Sequence, residues 1–114
     1  MEKPLDLLSL EALQDAADCL KVLGHPLRLR MVDILMQREF PVHQIARLCE
    51  LPPHQACEHL RMLKGHGLLK SDRRGRSVYY AIADPRLPRL VECIRAACEQ
   101  STERVNFPSS LDRD

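Results

Sequence analysis

The chain has 114 residues, 45% hydrophobic and 29% charged, with a formal net charge of +1; this suits one soluble domain with a modest core and excludes a disordered chain or a second domain of ordinary size. The opening Met-Glu-Lys-Pro lacks the basic start and apolar stretch of a secretory signal, and no apolar run is long enough to span a bilayer, so a cytoplasmic protein with no membrane partner is expected. Five cysteines, an odd number, point to reduced thiols rather than a disulfide framework.

Residues 1–8 are expected to be a flexible N-terminus. Leu10, Leu13, Ala17 and Leu20 then recur at helical spacing and Gly24 offers a stop, which predicts an amphipathic first helix over residues 9–23. His25-Pro26 opens a second helix, because proline is tolerated in a first turn where its missing N–H has no partner to lose. Leu27, Met31, Ile34 and Leu35 give that helix a buried face to about Gln37. Phe40-Pro41 is expected to break the chain, and Val42, Ile45, Ala46 and Cys49 mark a short third helix ending near Glu50. After the turn Leu51-Pro52-Pro53, the residues Ala56, Leu60 and Leu63 carry a fourth helix from Pro53 to Lys64, closed by Gly65-His66-Gly67, where glycine can take positive φ.

The period then changes. Leu68–Ser71 and Ser77–Ile82 look like strands, joined across Arg73-Arg74-Gly75-Arg76 into a β-hairpin with a basic tip. Beyond Asp84-Pro85, a stripe of Leu87, Leu90, Val91, Ile94 and Ala97 predicts a last helix reaching about Ser101, with residues 102–114 left as a tail. The expected class is therefore mainly α with a β-hairpin (α+β), in the order α-α-α-α-β-β-α, with one domain over residues 9–101.

Two short helices joined by a tight turn and followed directly by a hairpin are the order of a winged helix-turn-helix. The charge distribution supports DNA as the partner: from His54 to Arg76 six basic side chains against two acidic ones leave +4, although the whole chain carries +1. A helix starting at Pro53 is slim enough for the major groove, and His54, Gln55, Cys57 and Glu58 on its first turns are the candidates for base edges. Gln55 can pair with adenine, while Arg61 and Lys64, farther along, suit phosphates. Arg73, Arg74 and Arg76 at the wing tip suit the DNA backbone or minor groove and would set much of the salt dependence. His59 is a candidate DNA contact or a partly buried residue, and both readings stand. His25 reads as a helix-start residue, His43 as surface or cap, and His66 as part of a turn.

Leu23-Gly24-His25-Pro26-Leu27-Arg28-Leu29-Arg30-Met31 through Leu35, His59-Leu60-Arg61-Met62-Leu63 with Gly67-Leu68-Leu69, and Arg74-Gly75-Arg76-Ser77-Val78-Tyr79-Tyr80 together resemble the ArsR/SmtB repressors over roughly residues 10–100. The resemblance implies a homodimer built from the first and last helices that binds a double-stranded operator and leaves it when an inducer arrives. It also implies where metals would bind in some members. A thiolate pair in a Cys-Val-Cys-Asp pattern falls on Pro41-Val42-His43-Gln44 and is absent here; at a second site Asp84 is retained, but Arg86, Ala97 and Gln100 replace the other ligands.

No metal set therefore follows from these positions. The remaining candidates for an inducer site are Cys19 on the first helix with Cys93 and Cys98 on the last. Cys93 and Cys98 lie about 140° apart around one helix, too wide to chelate one ion by themselves. Across a dimer, a cluster drawn from the three could bind a soft ion such as arsenite, or oxidise; as single residues they are equally small hydrophobes. Cys49 closes the third helix as a core residue, and Cys57 either packs beside the groove or weakens DNA contact when oxidised.

An enzyme is not expected, since the chain has no Gly-rich phosphate loop, no HExxH motif and no nucleophile elbow. Two alternatives remain: a winged helix used for protein contact, against which the three arginines of the hairpin argue, and a DNA-binding repressor without cysteine sensing.

Overall fold

The computed structural model describes residues 3–99. Helix α1 (Leu10–Leu23) starts where Ser9 accepts a hydrogen bond from the Ala12 N–H at 3.0 Å, one of the four donors a helix start leaves unpaired. It ends at Gly24, where a Cβ would approach the Leu20 carbonyl oxygen to 3.2 Å. His25 then caps α2 (Pro26–Gln37), its Nδ1 accepting from the Leu27 N–H at 3.1 Å, with Pro26 in the first turn as expected. Met31 and Val32 on α2 are fully buried, and Leu35 nearly so.

Residues Phe40–Pro41 do more than break the chain. They form a short strand β1, antiparallel to β3 (Ser77–Ile82), with Phe40 opposite Tyr80 and Pro41 opposite Tyr79. With β2 (Leu69–Arg74) the sheet has the order β1-β3-β2. The expected hairpin is thus the larger part of a three-stranded sheet. Proline is tolerated because β1 is an edge strand and its missing N–H breaks no inner ladder; a two-residue strand carries no alternation that a sequence could display.

The hairpin tip is also tighter than expected. β2 runs through Arg74, which pairs with Ser77, and only Gly75-Arg76 form the turn. Gly75 takes φ +63°, the positive value that the first residue of a type II′ turn requires.

Between β1 and the hairpin lie α3 (Val42–Cys49) and α4 (Pro53–Gly65). Glu50 joins them in a left-handed conformation, φ 56°, which reverses the chain while its N–H donates to the Ala46 and Arg47 carbonyls. The Leu51 N–H also donates to the Ala46 carbonyl, at 2.9 Å, so the turn's donors are satisfied locally. Ile45, Ala46 and Cys49 of α3 and Ala56, Leu60 and Leu63 of α4 meet Met31, Val32 and Leu35 of α2 in one core, completed by Leu68, Leu69 and Tyr80.

The last helix, α5 (Arg86–Glu99), contributes Leu87 and Val91. The expected extension to Ser101, the position Gln100 and the tail 102–114 lie outside the described residues. Helix α1 behaves differently from the others. Its buried residues are Val22 and Leu23, whereas Leu10, Leu13 and Leu20 of the predicted stripe are 82%, 44% and 57% exposed. Among the described residues no helix is long and apolar enough to cross a membrane.

Leu60 is fully enclosed at the centre of this packing. Leu60→Ala is expected to destabilise the fold by about 3 kcal/mol, the transfer and cavity cost of such a deletion. Urea denaturation would show a lowered midpoint with an unchanged slope.

Candidate nucleic-acid interface

Helix α4 divides its residues by face. Ala56, Leu60 and Leu63 point into the core, and this leaves His54, Gln55, Glu58, Arg61 and Lys64 exposed, with Cys57 half-buried. Proline at the first helical position and no side-chain cap leave the start of α4 uncluttered. Tyr80 lies behind it; its phenol pKa is raised, first by burial and then by the charge Cys57 would carry. The candidate base-reading residues thus share an outer surface, with Cys57 at its inner margin.

The far end of α4 is tied to the wing. The Lys64 ammonium donates to the Ser71 hydroxyl at 2.7 Å, linking the helix to β2. Lys64 is therefore a brace between the two elements as well as an exposed cation.

The three wing arginines, alike in sequence, differ in the structure. Arg74 donates to Glu39 at 2.7 Å and to Asp72 at 3.0 Å, and its guanidinium lies 4.5 Å from the centroid of the Tyr79 ring. The hydrogen bonds it donates to Asp72 and then to Glu39 raise its pKa further. Such a clamp holds the wing against the chain just before β1, by planar, multiply bonded guanidinium chemistry that lysine could not reproduce. Arg73 and Arg76 remain exposed near the tip. Sequence reasoning missed Glu39, 35 residues from Arg74, because no local spacing signals a partner so distant.

His59 sits on the inner flank of α4, half-buried. Its Nδ1 accepts from the Arg28 Nε at 3.1 Å, and Arg28 also donates through Nη1 to the Val22 carbonyl at 3.0 Å. The His25 ring packs beside it, centroids 4.7 Å apart and planes tilted by 53°. Burial lowers the His59 pKa, as do His25 and Arg28, while Glu58 opposes them. Of the two readings of His59, the geometry favours the partly buried one.

The five thiols occupy unlike surroundings. Cys49 is buried, and burial pushes its pKa up, which makes it a packing residue. Cys19 is half-buried in a groove between α1 and α5 beside Leu20, Leu87 and Arg86. Cys98 lines another groove, between α2 and α5, near Leu29 and the ion pair of Arg95 with Asp33; Cys93 is exposed. Among the described residues no group of three or more His, Cys, Asp or Glu side chains could hold a metal ion. One chain therefore does not assemble Cys19, Cys93 and Cys98 into a site. Asp84 is also engaged: Arg86 grips it at 2.6 Å and 3.0 Å and lowers its pKa.

Residues 23–72 match the sequence profile of a helix-turn-helix domain. The chain is 32% identical over 84 residues to the transcriptional repressor PagR of Bacillus anthracis, which spans 73% of this chain and 84% of that protein. The homodimeric winged helix-turn-helix DNA-binding domain of a possible ArsR-family regulator from Mycobacterium bovis superposes with a TM-score of 0.73 at 26% identity, covering 94% of this chain and 99% of that one. The AntR antimony-specific transcriptional repressor superposes with a TM-score of 0.76 at 25% identity, covering 87% and 93%.

Removing one partner of the wing clamp should loosen the tip alone. Glu39→Gln is expected to speed hydrogen exchange of the amides around Arg74 and Tyr79 several-fold while leaving the denaturation midpoint nearly unchanged, because solvent screens exposed pairs. Exchange measured by NMR at each amide checks it.

Proposed function

Because the chain belongs to the ArsR/SmtB family of winged helix-turn-helix repressors, we propose that it binds a double-stranded operator as a homodimer, represses transcription, and is released by an inducer acting at the dimer helices. The observation that carries this reading is the division of α4 into a core face and an exposed polar face, with an arginine wing braced to its end through Lys64 and Ser71. A rigid reader beside a cationic hairpin suits simultaneous contact with bases and backbone.

Roles follow from placement. Gln55 reads adenine, His54, Cys57 and Glu58 lie against neighbouring base edges, and Arg61 meets phosphate. Arg73 and Arg76 supply the free charge of the wing; Arg74 keeps the wing in position through Glu39 and Asp72. His59 acts from behind the helix rather than in the groove.

The dimer rests on α1. Leu10, Leu13 and Leu20 are exposed on the helix, and Leu5, Leu7 and Leu8 just before it are 84%, 78% and 70% exposed. Apolar area of this kind gains about 25 cal/mol per Å² when covered, and the homodimeric assembly of the Mycobacterium bovis relative supports a second copy as the cover. Pairing α1 and α5 between copies would bring Cys19 of one groove toward thiols of the other chain, where a soft metalloid such as arsenite has thiolate ligands. That AntR is antimony-specific supports this inducer class. A second reading, a repressor without cysteine chemistry, is favoured by the separation of Cys19 and Cys98 into different grooves.

Two experiments test these assignments. Arg76→Ala is expected to weaken a duplex selected from a randomised library and a random duplex alike, and to lower the salt slope by about one; Gln55→Ala should weaken the selected duplex by about 1–3 kcal/mol more than the random one. Equal losses for Gln55→Ala would remove it from the base-reading set, and a wild type that ignores every duplex at low salt would end the DNA-binding reading. Replacing Cys19, Cys93 and Cys98 together with serine should abolish release by arsenite while retaining DNA binding; unchanged release would favour the second reading.

A further inference from the structure

We propose that Arg28 and His59 form a strut that holds the DNA-reading helix against the end of α1, and that protonation of His59 opens it, so that acid weakens operator binding. This rests on the DNA-binding reading of α4. A single guanidinium joins three elements: it belongs to α2, it donates to the Val22 carbonyl in the last turn of α1, and it donates to a ring nitrogen on α4. Few other side chains could span these positions, because the two bonds leave from different nitrogens of one planar group.

The strut has a definite protonation state. Arginine has donors only, so His59 Nδ1 must present a lone pair, and the ring carries its hydrogen on Nε2. The neighbouring His25, whose Nδ1 accepts from the Leu27 N–H, holds its ring centroid 4.7 Å from that of His59. A proton on His59 Nδ1 replaces the acceptor with a donor facing another donor, and sets an imidazolium beside Arg28 and His25. Among the described residues, the charged groups on this surface are His25 and Arg28 from the start of α2, and Glu58 and Arg61 from α4 itself, of which Glu58 is the negative one. The site thus disfavours the cation, in line with a His59 pKa lowered first by burial. The sign follows: the folded chain prefers neutral His59, so the strut is complete above the ordinary histidine value and is lost as pH falls through the lowered one.

The expected direction is opposite to simple electrostatics. Acid gives the protein more positive charge, which by itself strengthens attraction to a polyanion. If the strut orients α4, the affinity of the wild-type protein for a duplex selected from a randomised library instead falls, by about two- to fivefold between pH 7.5 and 5.5, the part of a tenfold limit reached before pH drops below both values when about one unit separates the bound and free states. His59→Asn places a carbonyl oxygen where Nδ1 lies, keeping an acceptor for Arg28 that does not titrate. Its affinity should stay level or rise over the same range. An equal fall in His59→Asn, or rising wild-type affinity in acid, overturns the proposal.

A second measurement needs no DNA. In NMR titrations of the free protein, His59 should show the Nε2–H form and titrate below the ordinary histidine value, and Arg28→Ala should move that value upward. A His59 that titrates at or above the ordinary value, or is unmoved by Arg28→Ala, overturns the strut. Should the wild type bind no duplex, the DNA-binding reading fails while this titration still decides whether the strut exists.

Discussion

The interaction on which the rest depends is the burial of one face of α4 against α2. Ala56, Leu60 and Leu63 are fully enclosed with Met31 and Val32, and close-packed side chains of this kind fix a helix about its own axis as well as along it. Rotation of α4 by a fraction of a turn would expose leucine and bury arginine, so the outward direction of Gln55 and Arg61 is set by hydrophobic contact made on the opposite side. Polar function here is the complement of apolar packing.

Around that constraint the remaining polar contacts act as braces. Lys64 to Ser71 fixes the helix end to the wing, Arg74 to Glu39 fixes the wing to the chain before β1, and Arg28, bonded to both His59 and the Val22 carbonyl, fixes the helix to α1. Each lies at or near the surface, where such bonds contribute little to overall stability. Their contribution is to orientation: they restrict how elements sit relative to one another within a fold that the core already specifies.

Much of this was legible in the sequence wherever the signal was local. The amphipathic period placed α2 to within its termini, His25-Pro26 announced its start, and Ala56, Leu60 and Leu63 identified the inner face of α4. The loss of helical period at Leu68 and the β-favouring run Val78-Tyr79-Tyr80 announced the hairpin. Pairings between distant residues were not legible. Arg74 and Glu39 are 35 apart, Arg28 and His59 are 31 apart, and β1 is two residues long; none leaves a periodic trace. Three arginines in a row of four residues also read as equivalent, because composition cannot say which guanidinium is already occupied. The stripe of Leu10, Leu13 and Leu20 on α1 is exposed in the single chain; periodicity gives a face without saying what it meets.

The leucines at positions 5, 7, 8, 10, 13 and 20, left in water by a single chain, carry a consequence for dosage. Where two copies must meet to hide such a face, the population of complete readers grows with the square of chain concentration at low abundance, by mass action. Modest changes in synthesis would then translate into larger changes in occupancy, and dilution would act on the folded chain much as a mild denaturant does.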